Sequence, residues 1–154
     1  MSQQPAISFR KSECPQFKLR FQSGHFSTRQ ALLRLMNELK CLNLSHATCV
    51  NIELVLAEIF NNIVRHAYST DQVGPIFVCG TYFGNEIYFK VEDFGCEMTD
   101  TSSMAIKEPK LPRLNDSPAE GGFGWFLISQ IADRYRYWRE SDKNCIEVFM
   151  PASK

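Results

Sequence analysis

The chain has 154 residues, 44% of them hydrophobic, and its 17 Lys+Arg are balanced by 17 Asp+Glu. That length and composition fit one globular domain able to bury roughly two-thirds of its unfolded surface, and they exclude a disordered chain. Zero net charge gives no global field to gather nucleic acid or an anionic membrane, so neither is expected as a partner.

The N-terminal residues MSQQPAISFRKSECP carry no signal-peptide pattern, and residues 1–14 read as a tail. No stretch approaches the ~18 apolar residues expected of a membrane span. The six cysteines (Cys14, Cys41, Cys49, Cys79, Cys96 and Cys145) include no C-x-x-C pair, and there are only three histidines. A zinc site is therefore not expected. The cysteines read as reduced and mostly core, in a cytoplasmic protein.

Residues 17–22 alternate apolar and basic, as a half-buried strand does. Residues 26–42 place Leu32, Leu35, Met36 and Leu39 at helical spacing, with Ser27 or Thr28 as the expected cap. Residues 45–68 form the best helix, capped by Ser45 and apolar on most sides, which predicts a buried helix. Residues 76–83 and 86–93 predict strands joined by the two-residue hairpin signal Gly84-Asn85. Residues 94–122 contain Pro109, Pro112 and Pro118 and read as irregular. A helix over 123–133 and a closing hairpin of 134–140 and 144–150 around Ser141-Asp142-Lys143 follow. Strands that come mainly as hairpins predict an α+β two-layer sandwich, with about three helices on one face of a mostly antiparallel mixed sheet.

Three short segments carry candidate chemistry. On the long helix, Glu58, Asn61, Asn62 and Arg65 recur at spacings of three and four and share one face. A carboxylate and an amide oxygen so placed suit a hydrated Mg²⁺, and Arg65 is one turn from them, in reach of a phosphate. The alternative is a solvated stripe. Next, the strand VEDFG ends in Asp93, an acceptor for an exocyclic amine, with Gly95 allowing a flat ring close to the backbone. The alternative is a plain strand-end turn. Third, Gly121, Gly122, Phe123 and Gly124 lead into a helix whose free N–H groups and positive dipole end suit a phosphate. A hinge would look the same. Among the histidines, His66 is best placed to meet a nucleotide, being next to Arg65, while His25 and His46 read as surface or structural residues.

The order E-x-x-x-N, D-x-G, G-G-x-G resembles the GHKL (Bergerat-fold) ATP-binding superfamily over about residues 15–150, read as a single histidine-kinase-like ATPase domain. Asn62 matches the N box, Asp93 and Gly95 the first glycine box, Gly122 and Gly124 the second, and residues 96–120 the nucleotide lid. The segment AEIFNNIVRHAY, with Glu58 four residues before Asn62, resembles the N box of anti-sigma-factor serine/threonine kinases of bacterial partner-switching systems. The resemblance implies ATP and Mg²⁺ as cofactors, with Asn62 as the metal ligand and Glu58 as general base. It also implies a small STAS-type antagonist as substrate, a sigma factor or other target as partner, and a homodimer. The competing readings are a non-catalytic ATP-binding module that sequesters a partner, and a hydrolase in which Glu58 activates water. Glu97 stands where the family has a second glycine. The Thr that the family's last hairpin sets near the adenine falls at Cys145, and Glu120 replaces a basic residue, which Lys107, Lys110 and Arg113 offset.

Overall fold

Alternation decides which side of each strand is covered. In the computed structural model, which describes residues 16–68, 71–98 and 123–154, strand β1 (Gln16–Gln22) buries Phe17 and Leu19 and exposes Lys18 and Arg20. β2 (Pro75–Tyr82) and β3 (Glu86–Asp93) repeat this period of two, so Ile76, Val78, Ile87, Phe89 and Val91 face the core. β4 (Arg134–Glu140) and β5 (Lys143–Pro151) close the sheet. The spatial order is β1-β2-β3-β5-β4, and every ladder is antiparallel. The α+β sandwich expected from the sequence is the architecture found.

Two tight turns set the registers. Gly84 takes φ 93°, and the Phe83 N–H donates to the Glu86 carbonyl at 2.8 Å, as a two-residue hairpin requires. The last hairpin is one residue tighter than expected: β5 begins at Lys143, and Ser141, at φ 54°, makes the turn with Asp142.

Helix α1 (His25–Leu39) starts earlier than the sequence suggested. Neither Ser27 nor Thr28 caps it. Gly24, at φ 143°, makes the entry turn, and its carbonyl accepts from the Thr28 N–H at 2.9 Å. A short 3₁₀ turn, Lys40–Leu42, follows. Helix α2 (His46–Asn62) is capped as expected, with Ser45 Oγ accepting from the Thr48 N–H at 3.2 Å. It continues into a π-helical turn, Ile63–Ala67, of the kind common at functional sites. His46–Ala67 is 22 residues long and apolar enough to cross a membrane by length and composition, contrary to the expectation that no such stretch exists. Its apolar side chains have another use: Ile52, Val55, Leu56, Ile59, Phe60 and Ile63 are fully buried in the core between helices and sheet. Each such side chain contributes roughly 1.5–3 kcal/mol by leaving water. Helix α3 (Phe123–Ile131) packs on α2. Ala152 is buried, and the Ser153 carbonyl accepts from the Ser45 N–H at 2.9 Å, tying the chain's end to the start of α2.

The cysteine reading needs correction. Of the five described, Cys41, Cys79 and Cys96 are exposed, Cys49 is intermediate, and Cys145 alone is buried; all five are free thiols. Residues 1–14, with Cys14, lie outside the described residues. So do Lys107, Lys110, Arg113, Glu120 and all of the 96–120 lid segment beyond Met98.

Candidate functional site

α2 supplies the first wall. Glu58 is half-buried, while Asn62 is 6% exposed and its Nδ2 is a buried atom with no hydrogen-bond partner. Among the described residues Glu58 makes no ion pair. A Cβ built on Gly124, in the first turn of α3, would lie 2.7 Å from Glu58 Oε2 and 3.4 Å from Asn62 Nδ2. The start of α3 is thus pressed directly against the carboxylate and the amide. Gly121 and Gly122 lie outside the described residues, and Phe123 opens α3.

The second wall is the end of β3. Gly95 packs so closely on the π-turn that a Cβ there would run into the Ala67 carbonyl, and the Cys96 N–H donates to that carbonyl at 2.7 Å. Gly95 is therefore required by a close approach of backbone to backbone. This contact joins the Asp93 turn to the end of α2, so the three segments singled out in the sequence meet around one helix end.

Asp93 is 1% exposed. Its Oδ1 accepts from the Gly95 N–H at 2.9 Å and from Asn144 Nδ2 at 2.8 Å, whereas its buried Oδ2 has no partner. Burial pushes this carboxyl above the usual carboxylate range, against the opposing pull of the Asn144 and Gly95 donors and of Arg139. A buried polar atom without a partner is costly, so the acceptor Asp93 Oδ2 and the donor Asn62 Nδ2 both call for an occupant. Tyr68 secures the same turn: its hydroxyl donates to the Pro75 carbonyl at 2.8 Å and accepts from the Phe94 N–H at 3.0 Å.

Arg65 and His66 both sit exposed on the π-turn, beyond Asn62. Glu58, Asn62 and Gly124 meet directly, and Gly95 joins the turn after Asp93 to the π-turn that carries Arg65 and His66.

Cys145 is not the residue beside Asp93. The register sets Asp93 opposite Asn144 and Glu92 opposite Cys145, whose thiol lies 3.8 Å from Glu92 Oε1 on the other face of the sheet. Asn144, fully buried, is the residue opposite Asp93. Its Oδ1 accepts from Arg139 Nη1 at 2.7 Å and from the Tyr137 hydroxyl at 2.9 Å. Sequence reading missed all three residues, although the signal was present. The inward positions Ile146, Val148 and Met150, extended back by two, arrive at Asn144 and not Cys145.

The arrangement sets a buried carboxylate oxygen without a donor in one segment and, in the other, a carboxylate and an amide against the first turn of α3. Residues 23–150 match the histidine kinase-like ATPase domain, and the chain belongs to that family. It is similar to the serine-protein kinase RsbW of Staphylococcus epidermidis, 29% identical over 91 residues, in two strains as well as in the species at large. That match covers 58% of this chain and 57% of the relative, so the chain spans little more than half the length of the curated relatives it matches. The fold resembles the crystal structure of the RsbU and RsbW domains of Rv1364c from Mycobacterium tuberculosis, with a TM-score of 0.65 at 16% identity. That alignment covers 91% of this chain and 33% of the other.

Proposed function

We propose that the chain is an ATP-dependent serine/threonine kinase and anti-sigma-type regulator. It binds Mg-ATP and phosphorylates a Ser or Thr of a small STAS-type antagonist in a cytoplasmic partner-switching system. The observation that carries the reading is the pair of orphaned buried polar atoms, Asp93 Oδ2 and Asn62 Nδ2, at the two ends of one cluster. Asp93 Oδ2 accepts from the adenine amine, and Gly95 lets the ring lie against the backbone. The N–H groups at the start of α3 take the phosphates, Gly121 and Gly122 lead into that start, and Arg65 adds a cation at the rim. His66 borders the same rim.

Mg²⁺, when bound, neutralises charge on the phosphates. The residues fit it: the Asn62 carboxamide is buried beside Glu58 without a bond to hold its Nδ2, so it can turn its oxygen to the ion. Glu58 then takes the proton from the acceptor hydroxyl as that oxygen bonds to the γ-phosphorus. The bond from phosphorus to the β–γ bridging oxygen breaks, and ADP leaves with that electron pair.

The resemblance to RsbW kinases supports a sigma factor as the second partner and a homodimer as the working form. Exposed free thiols suit a reducing cytoplasm. The test is transfer of labelled γ-phosphate from ATP to a protein that co-purifies with the chain, with phosphoserine or phosphothreonine mapped on it. Tight ATP binding with no transfer to any co-purifying protein would replace this reading with that of a non-catalytic regulatory module.

A further inference from the structure

We propose that Arg139, acting through Asn144, is a positioning residue that keeps the Asp93 carboxylate available as a base acceptor; the inference rests on the adenine reading of Asp93 above. Asn144 has no free hydrogen-bonding position. Its Oδ1 accepts from Arg139 Nη1 at 2.7 Å and from the Tyr137 hydroxyl at 2.9 Å, while its Nδ2 donates to Asp93 Oδ1 and to the Cys96 carbonyl, both at 2.8 Å. Arg139 is a donor-only group, so the amide cannot turn round, and its N–H side must face Asp93. Asn144 therefore does not contact the base; it orients the group that does.

The arrangement solves a specific problem. A carboxylate buried like Asp93 needs a cation to remain ionised, yet a direct ion pair with Arg139 would occupy the oxygen that the base requires. An amide between the two transmits the attraction through hydrogen bonds and leaves Oδ2 open. The same Nη1 also donates to the Gly95 carbonyl at 3.1 Å, so one guanidinium holds both ends of the Asp93–Gly95 turn. The Met98 N–H donates to the Tyr137 hydroxyl at 3.2 Å, which ties the chain leaving the site to this network.

The groups facing Asp93 from the surrounding elements are few. β4 brings Arg139 and the Tyr137 hydroxyl, and the end of the π-turn brings the Tyr68 hydroxyl. β5 brings Asn144, the turn brings the Gly95 N–H, and Ile76 of β2 is apolar. Glu97 acts on Tyr137. Arg139 is thus the one cation among the described groups acting on Asp93. Its removal should make the carboxylate easier to protonate, and a protonated Asp93 loses its acceptor. ATP binding should then fail at a higher pH than in the parent.

The experiment is calorimetric titration of the full chain with Mg-ATP from mildly acidic to mildly alkaline pH, for the parent, Arg139→Gln, Arg139→Lys and Asp93→Asn, each checked by thermal melting. Arg139→Gln should lose about 10-fold in affinity at the acidic end, the scale of one hydrogen bond to a charged group, and recover toward the parent at the alkaline end. Arg139→Lys keeps the charge and should return the acid limb to its parental position. A loss equal at every pH, or an unchanged Arg139→Gln profile, overturns the proposal. If Arg139→Gln does not fold, Arg139→Lys carries the test: a parental acid limb supports the proposal, and a displaced one overturns it. Asp93→Asn separates the two levels. If it binds ATP like the parent, the adenine reading itself fails. If it loses ATP while Arg139→Gln tracks the parent, only the role of Arg139 fails.

Discussion

Replacing Gly124 by Ala tests the juxtaposition of α3 with α2 without removing any hydrogen-bonding group. The added Cβ would stand 2.7 Å from Glu58 Oε2, against at least 3.4 Å for ordinary contact, so the carboxylate must retreat by about 0.7 Å. Because the obstructed atom ends a flexible side chain, the fold can absorb this at about 0.5–1.5 kcal/mol of off-rotamer strain. Ala gains up to ~1 kcal/mol over Gly in a helix, less in a first turn. The two effects nearly offset, and the melting temperature should move by no more than about 2–4 °C, the response of a domain this size to ~1 kcal/mol. Catalysis has no such compensation, since displacing a reacting group by close to 1 Å costs on the order of 10²-fold in rate. The backbone N–H of residue 124 remains, so ATP affinity should stay within a few-fold. The assays are phosphoryl transfer to the co-purified acceptor, calorimetry with Mg-ATP, and a thermal melt. A folded Gly124→Ala protein that transfers phosphate at the parental rate would refute the claim that the Glu58 carboxylate acts from the position seen here.

Three further outcomes follow from the same geometry. Glu58→Gln preserves shape and packing against Gly124, so ATP binding and melting should persist while transfer falls ~10²–10⁴-fold; parental activity in phosphate transfer would remove Glu58 from the chemistry. Asn62→Ala should abolish Mg-dependent ATP binding in calorimetry with little change in the nucleotide-free melt, because the buried Nδ2 it deletes has no partner to lose; undiminished Mg-ATP affinity would count against the metal role. Asp93→Asn puts a donor where Oδ2 now stands, so preference should move from ATP toward GTP. Burial holds the Asp93 carboxyl above its ordinary value, so its proton is bound more tightly in the folded state. Its contribution to stability is fully present below the unfolded pKa and is lost as pH rises through the folded pKa. The melting advantage of Asp93→Asn over the parent, measured without nucleotide, should therefore be greatest near neutrality and vanish in acid; the opposite pH trend would show that folding stabilises Asp93 as a carboxylate.

Much of this was legible because apolar periodicity and turn chemistry are local. Phe17 and Leu19 announce β1, Ser45 announces α2, and Gly84-Asn85 sets a hairpin register. The meeting of Gly124 with Glu58 and of Gly95 with Ala67 was foreseen only as motif order, since those contacts arise from tertiary packing. α1 was mis-started because Gly24, with no side chain, makes the entry turn that Ser27 and Thr28 advertise. Cys145 was matched to the family's Thr from the motif pattern alone, without the strand register that sets Asn144 opposite Asp93. A shift of one residue sends every side chain of a strand to the opposite face. The same error hid Asn144, and with it Tyr137 and Arg139, which look like ordinary surface residues of a strand until the register brings them under Asp93.

The site residues share a thermodynamic character that bears on function independently of any resemblance. Asp93 is buried with one oxygen unanswered, Asn62 is buried with its Nδ2 unanswered, and Gly124 occupies a helix position where Ala is intrinsically better. In a domain whose net stability is only about 5–15 kcal/mol, three such unfavourable choices in a single cluster are hard to attribute to packing. Elsewhere the buried polar side chains are mostly answered: Ser23 by the Gly74 N–H, Thr48 by Ser45 and Ser153, and Asn144 at all four of its positions. Thr28 Oγ1 is the exception, in the first turn of α1. The unanswered atoms of Asp93 and Asn62 instead lie in the two segments joined through the Ala67–Gly95 contact; in the proposed reading a ligand's amine and its anionic end supply the missing partners. A ligand that supplies those partners binds the folded state alone, so it must stabilise the protein. Mg-ATP should raise the melting temperature of the parent. The same nucleotide should raise it less for Asp93→Asn and least for Asn62→Ala, because each variant removes one of the two atoms whose burial only an occupant can offset.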